Sequence, residues 1–223
     1  ALHGLLTNTY YDSTAGTEVP SDFVELPSQL NEMWAYNPVV LNRFARHWKS
    51  GEALPKEVAQ NLASSKHFGQ AFATLEYVQA ALIDQYWHMP ADKLPSESGD
   101  FDSFEDEALT DSATSHELVV PRYRSAYFAH TFAGGYDGAY YSYMWAEAMV
   151  GELEEWFARQ AQVLEGGASD GGLNREAGRR VAEEILSRGN SRDPLESFVA
   201  VNGEQPKGEA IVRRRGLAER VSL

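Results

Sequence analysis

Between positions 68 and 86 the apolar residues Phe68, Phe72, Leu75, Val78, Leu82 and Tyr86 recur every three or four positions. That spacing lines one side of an α-helix. A stripe of this length, stopping before Pro90, commits the middle of the chain to a long helix with one face in a core. The same period returns elsewhere. Phe23, Leu26, Leu30, Met33 and Trp34 follow it after Ser21, and Pro27 marks either a helix start or a bend. Pro38 opens a helix through Val40, Leu41, Phe44 and Trp48 that Gly51 ends, and Pro55 opens another over 56–65. A long helix is predicted over 137–163, with Tyr141, Trp145, Met149, Leu153 and Trp156 in line. Asn174 caps the next, through Ala177, Val181 and Ile185, which Gly189 closes. Asp193 and Pro194 start a last one through Leu195 and Phe198. Residues 1–6 read as a helix tail, 91–115 as an acidic loop with one short helix near 104–109, and 211–223 as a basic, peripheral end. Thr, Tyr, Ser and Gly dominate 7–19, which suits a short strand and turns. The predicted class is mainly α, with a small β element near residues 10–17.

Composition narrows the options. The 223 residues, 43% hydrophobic and 23% charged, suit a soluble chain with a sizeable core, not a disordered tail, a fibre or a disulfide miniprotein. A formal charge of −14 repels phosphate backbones, so no nucleic-acid partner is expected. There is no cysteine, which removes disulfides, thiolate metal sites and a cysteine nucleophile together. No apolar run approaches the roughly 20 residues that span a bilayer, so no membrane partner is expected either. The chain opens Ala1-Leu2-His3-Gly4-Leu5-Leu6, without an initiator methionine or the charged start of a signal peptide. We expect it to be the interior of a longer protein.

Several kinds of chemistry are absent locally. His3, His47, His67, His88, His116 and His130 are never three or four apart, so no helix presents a two-imidazole metal clamp. There is no G-x-S-x-G elbow, and Gly134-Gly135 lacks the spacing and lysine of a phosphate cradle. Two clusters remain. In the first, Glu25, Gln29 and Glu32 share a helical face opposite the apolar one. They fit metal ligation or proton relay, but spacing alone favours a solvated polar face. In the second, His130 through Tyr143, glycines at 134, 135 and 138 precede a helix start, and Tyr136, Tyr140 and Tyr143 share one face. A phenol, with a pKa near 10, donates to a carbonyl or an oxyanion without carrying charge. An aromatic-rich helix packing a core reads equally well.

Together these clusters resemble one family. The stretches Ser21-Asp22-Phe23-Val24-Glu25-Leu26-Pro27-Ser28-Gln29, Pro121-Arg122-Tyr123-Arg124-Ser125, His130 through Tyr143, and Ile185-Leu186-Ser187-Arg188-Gly189-Asn190-Ser191 are similar to the C-terminal part of the zinc oligopeptidases typified by thimet oligopeptidase. The likeness is strongest to that family's bacterial peptidyl-dipeptidase (dipeptidyl carboxypeptidase) branch. It runs across nearly the whole chain and weakens after Phe198.

The resemblance implies the C-terminal part of one helical zinc-metallopeptidase catalytic domain, 1–223. In the family the zinc motif H-E-F-G-H directly precedes a segment like Ala1-Leu2-His3-Gly4-Leu5, so both imidazole ligands and the catalytic glutamate are expected upstream, and His3 is not a ligand. Glu25 is implied as the metal ligand, the third for one zinc ion. Tyr136 and Tyr143 are implied to contact substrate and transition state, with His130 a further donor and Tyr140 sharing their face. Gly134 and Gly135, with Gly138, let a loop close over bound peptide. Gly16 and Thr17 line the cleft and pair with extended substrate backbone. Gln29 and Glu32 are candidates to orient Glu25 or an imidazole; Glu32 reads equally as a surface residue and is not expected to be a ligand. Zinc-activated water attacks the peptide carbonyl, and zinc and the phenols stabilise the oxyanion.

The implied partners are short unfolded peptides and the N-terminal part of the same domain. The implied reaction is release of C-terminal dipeptides, with the isolated chain inactive and its uncovered apolar faces prone to aggregation. The alternatives are an internally cutting oligopeptidase of the same family, or a non-catalytic peptide-binding domain. The location implied is cytoplasmic, with the periplasm as the alternative.

Overall fold

Helix starts follow the capping chemistry of the sequence. Asn37, Asn174 and Asp193 each accept two N–H groups of the helix they precede on a side-chain oxygen, which satisfies donors that have no partner within the helix. The structure, a computed structural model, describes residues 1–90, 94–95, 100–162, 170 and 172–218. Its helices are α1 (Leu2–Leu6), α2 (Ser21–Val24), α3 (Leu26–Glu32), α4 (Pro38–Phe44), α5 (Lys56–Ser65), α6 (Gln70–Trp87), α7 (Phe101–Asp111), α8 (Ala129–Phe132), α9 (Ser142–Arg159), α10 (Arg175–Val181), α11 (Pro194–Asn202) and α12 (Glu209–Arg214). The mainly α reading holds. None of these helices is long and apolar enough to cross a membrane. The chain divides into two compact units, one of Ala1–Phe68 with Trp145–Leu223 and one of Gly69–Met144.

The first unit closes around Leu26, Val150, Leu153, Ile185, Phe198 and Val201, all at most 1% exposed. Burying each of the larger aliphatic or aromatic side chains contributes about 1.5–3 kcal/mol. Pro27 stands in the first turn of α3, where its missing N–H has no bond to lose. No residue of 211–218 is buried, in keeping with the peripheral reading, although Arg214 and Arg215 are half-buried and the preceding turn packs on α9. Ala210 is 1% exposed, and a Cβ on Gly151 of α9 would lie 3.0 Å from its carbonyl oxygen. Arg214 bridges Glu147 at 2.8 Å and Glu154 at 3.1 Å, and Arg215 pairs with Glu147 as well. The basic residues at 214 and 215 are thus the partners of acids on α9. Residues 219–223 lie outside the described residues.

The small β element expected near 10–17 does not form. Thr14 N donates to Tyr11 O and Ala15 N to Asp12 O, making a 3-10 turn at Asp12–Thr14. These groups are satisfied within three residues, and no neighbouring strand is offered to them among the described residues. Thr14 O instead accepts from Asn190 N at 2.8 Å, and Ser187 O accepts from Asn8 N at 2.8 Å. A π-helical turn at Ala182–Leu186 precedes this contact. The helix from Pro38 ends at Phe44 rather than at Gly51. Ala45 is extended, and Arg46 and Ala53 form an antiparallel bridge. Phe44 and Trp48, the apolar residues that would have carried the helix on, are 62% and 83% exposed.

In the second unit, α6 buries a different face from the expected stripe. Tyr77, Ala80, Ala81, Ile83 and Asp84 are buried, while Phe72 is 48% exposed and Leu75, Val78, Leu82 and Tyr86 are partly exposed. The alanines let neighbouring backbone approach closely. The helix expected near 104–109 extends over all of α7. Trp87 packs on Phe101 and Phe104 at ring distances of 5.7 and 4.5 Å, and buried Glu105 accepts Ser125 N at 2.6 Å. Parts of the expected 91–115 loop, 91–93 and 96–99, lie outside the described residues, as does the predicted end of α9 at Val163.

Gly189 has φ +48°, and a Cβ there would stand 2.1 Å from Thr14 O. Gly203 has φ +93° with nothing within 4 Å. Gly189→Ala should therefore cost about 3 kcal/mol or more, from strain and clash together, and Gly203→Ala about 1–2 kcal/mol from strain alone. Urea denaturation midpoints of the two variants check this, and equal losses would refute the packing role of Gly189.

Candidate active site

Glu25 occupies the break between α2 and α3, with φ −89° and ψ −6°. The break follows from Pro27, which cannot continue a hydrogen-bonded ladder from the preceding turn. Ser28, one turn on, donates its hydroxyl to the Glu25 carbonyl at 2.8 Å and to Oε2 at 2.6 Å. The half-buried carboxylate is thereby folded back toward its own helix. It lines a cavity of about 410 Å³ together with His3, Thr17, Ser28 and Asn31. Thr17 and Glu25 therefore share one cavity. Gly16 is buried, and a Cβ there would lie 3.2 Å from the Cα of Gly4, so this loop rests directly on α1. Gly16 N donates to Thr7 Oγ1 at 3.0 Å. Glu32 is exposed and Gln29 half-buried.

His3 is 4% exposed, neither ring nitrogen meets a hydrogen-bond partner among the described residues, and burial lowers its pKa. A group of three or more histidine and carboxylate side chains placed to hold a metal is absent among the described residues. A catalytic zinc needs three protein ligands and an open position. These residues do not make that set, and Glu25 can supply at most one ligand of it.

The second unit gathers the aromatic cluster. The His130 ring lies 6.0 Å from Tyr136, 6.1 Å from Tyr143, 5.3 Å from Tyr140 and 5.1 Å from Tyr123. Tyr136 and Tyr143 stack at 5.0 Å with planes 23° apart, and both are half-buried. Tyr140 differs. It is 3% exposed, in the core with Tyr77, Ala80 and Phe128. Burial pushes its pKa up to about 12, against the pull of the Arg122 guanidinium. Arg122 is itself held by Glu76 at 3.0 Å. Gly134 packs on α8, where a Cβ would lie 3.0 Å from the Cα of His130, while Gly135 faces open space. Tyr136 N donates to His130 O at 3.0 Å, tying the glycine turn to the imidazole.

Sequence reasoning missed the residues that hold this turn. Residues 137–141 are turns rather than the first helical residues, and α9 begins at Ser142. Asp84 accepts Gly138 N at 3.0 Å and Tyr140 N at 2.9 Å, and Gln85 donates to Gly138 O at 2.7 Å. The one available signal was an acid following Ala80-Ala81-Leu82-Ile83. Arg124, in one of the family-like stretches, pairs with buried Glu105 and with Asp102.

A family model described as "Peptidase family M3" matches residues 1–217. The chain is 40% identical over 216 residues to the dipeptidyl carboxypeptidase of Escherichia coli (strain K12). It is 32% identical over 224 residues to oligopeptidase A of the same organism, and 29% identical over 223 residues to a thimet-like oligopeptidase of Dictyostelium discoideum. Each match covers 97% of this chain and 30% of the relative. The chain thus spans about a third of the length of the curated relatives it matches.

Tyr140 has a folded pKa above its unfolded value of 10.0, so its proton stabilises the fold fully below pH 10. That contribution should be lost as pH rises from about 10 through about 12. Tyr140→Phe should flatten the fall in denaturation midpoint across this window, whereas Tyr141→Phe, at an exposed phenol, should leave it unchanged.

Proposed function

The chain belongs to peptidase family M3, and from that premise we propose that it forms part of a zinc-dependent peptidase acting on short unfolded peptides. The observation that carries this reading is the reach of the family match, which takes in both the Glu25 cavity and the phenol cluster. Glu25 is proposed to give one carboxylate ligand to a zinc ion whose remaining ligands lie outside these 223 residues. When bound, such an ion supplies an activated water and polarises the peptide carbonyl.

The chain's own residues do the rest. Tyr136 and Tyr143, neutral at pH 7, donate hydrogen bonds to the carbonyl oxygen as it gains negative charge. A donor fixed beforehand spends nothing on reorganisation at that moment, and the stacked, half-buried pair fits that requirement. His130 is a further donor beside them. Thr17, on the rim of the Glu25 cavity, offers backbone groups to an extended peptide. The exposed apolar side chains Leu5, Tyr10 and Trp48 support a further polypeptide covering the first unit, with the 223 residues alone inactive.

Release of C-terminal dipeptides is the preferred reaction, because identity is higher to the dipeptidyl carboxypeptidase than to oligopeptidase A. The protein encoded by the complete reading frame should hydrolyse short peptides. There Glu25→Gln should weaken zinc binding by on the order of 100-fold or more. Tyr143→Phe should lower kcat by about 100-fold while KM moves less than about threefold. Full zinc occupancy and rate in Glu25→Gln would remove the ligand assignment. A C-terminally amidated peptide should be cut at least about 100-fold more slowly than the free acid, since a site built for a carboxylate is left unpaired. Equal rates would instead favour internal cleavage.

A further inference from the structure

A carboxylate with no exposed surface stands on α6 at the end of an apolar run: Asp84 is 0% exposed. Burying such a charge is unfavourable unless hydrogen bonds answer it. Oδ1 accepts from Gly138 N at 3.0 Å and Oδ2 from Tyr140 N at 2.9 Å. His88 Nδ1 stands 3.3 Å from Oδ1 and 2.7 Å from the Asp84 carbonyl. A carbonyl only accepts, so Nδ1 carries the hydrogen.

Two more α6 side chains hold the same turn. Gln85 donates to Gly138 O at 2.7 Å, and the Tyr77 hydroxyl donates to Tyr140 O. That hydroxyl also accepts Met144 N at 3.3 Å. The N–H and the C=O of both Gly138 and Tyr140 are therefore all bonded to α6. Without these bonds, the sequence favours continuing α9 back to Asp137. In that helix Tyr136, Tyr140 and Tyr143 would share one face. In the turn, Tyr140 goes into the core while Tyr136 and Tyr143 stack.

We propose that Asp84 is a positioning residue for the peptidase site, holding 138–140 in the turn that sets Tyr143 against Tyr136. The proposal rests on the peptidase reading for its effect on turnover, but not for the clamp itself. In the 223-residue chain, Asp84→Asn replaces one acceptor oxygen by a donor, and should speed amide exchange of Gly138 and Tyr140 on the order of tenfold, with α9 amides beyond Val150 unchanged. Gln85→Ala, at an exposed position, should speed the same amides less and keeps the test open if Asp84→Asn fails to fold.

In the protein from the complete reading frame, Asp84→Asn should lower kcat on the order of 30-fold. In a Tyr143→Phe background the same change should cost less than about threefold, because its effect runs through that phenol. Equal losses in both backgrounds would show a merely structural role, and unchanged exchange in both α6 variants would remove the clamp. If the wild-type protein cleaves no peptide, the peptidase reading fails, and the exchange data still decide whether Asp84 holds the turn.

Discussion

The pairing of one buried carboxylate with two backbone N–H groups decides how the second unit ends and where its phenols stand. An unanswered charge at Asp84 would be among the most costly features a core could contain. Among the described residues, its donors belong to the turn before α9, with the neighbouring His88 beside them. The charge therefore specifies the turn. With Gly138 O accepting from Gln85 and Tyr140 O from Tyr77, these carbonyls are not available to a helix ladder, and α9 begins at Ser142.

The first unit relies on contact rather than charge to set its candidate ligand. Glu25 needs a helix break, a partner for its carboxylate and an open side. Pro27 imposes the break, Ser28 supplies the hydroxyl, and Thr17 and His3 line the same cavity. Before Thr17, backbone meets backbone, Gly16 on Gly4 and Gly189 on Thr14. Such approaches tolerate no side chain, so Gly189 packs directly on the Thr14–Gly16 backbone that precedes Thr17.

The legible parts of the sequence were those written in local pattern. Asn174 and Asp193 announced their helices, as Pro38 did, and Leu153, Ile185 and Phe198 announced the core by their period. Glu25 and the tyrosines stood out by residue type and by resemblance. What failed was long-range. The stripe from Phe72 to Tyr86 has the correct period but gives the wrong buried face, because small Ala80 and Ala81 and the charge on Asp84 pack where larger apolar residues would be expected. Tyr140 shares a helical face with its neighbours only if a helix exists there, and a residue 56 positions away removes it. The strand near 10–17 failed likewise, since β propensity in Thr and Tyr means little without an edge to pair with.

The two units also divide the chemistry by the kind of group each can hold steady. Glu25, the proposed carboxylate ligand, is half-buried on a cavity and accepts the Ser28 hydroxyl. An oxyanion donor must keep its proton and its direction. Stacking fixes the planes of Tyr136 and Tyr143, and the core beneath them contains a third phenol whose proton is held to about pH 12. A charged donor in their place would face the desolvation cost that Asp84 escapes only by taking two backbone N–H groups. Phenols avoid it, because a neutral O–H loses little on burial so long as it finds one acceptor. In the proposed site, a donor set built from tyrosines, with the buried Asp84 carboxylate supporting the turn beside them, combines a fixed direction with neutrality.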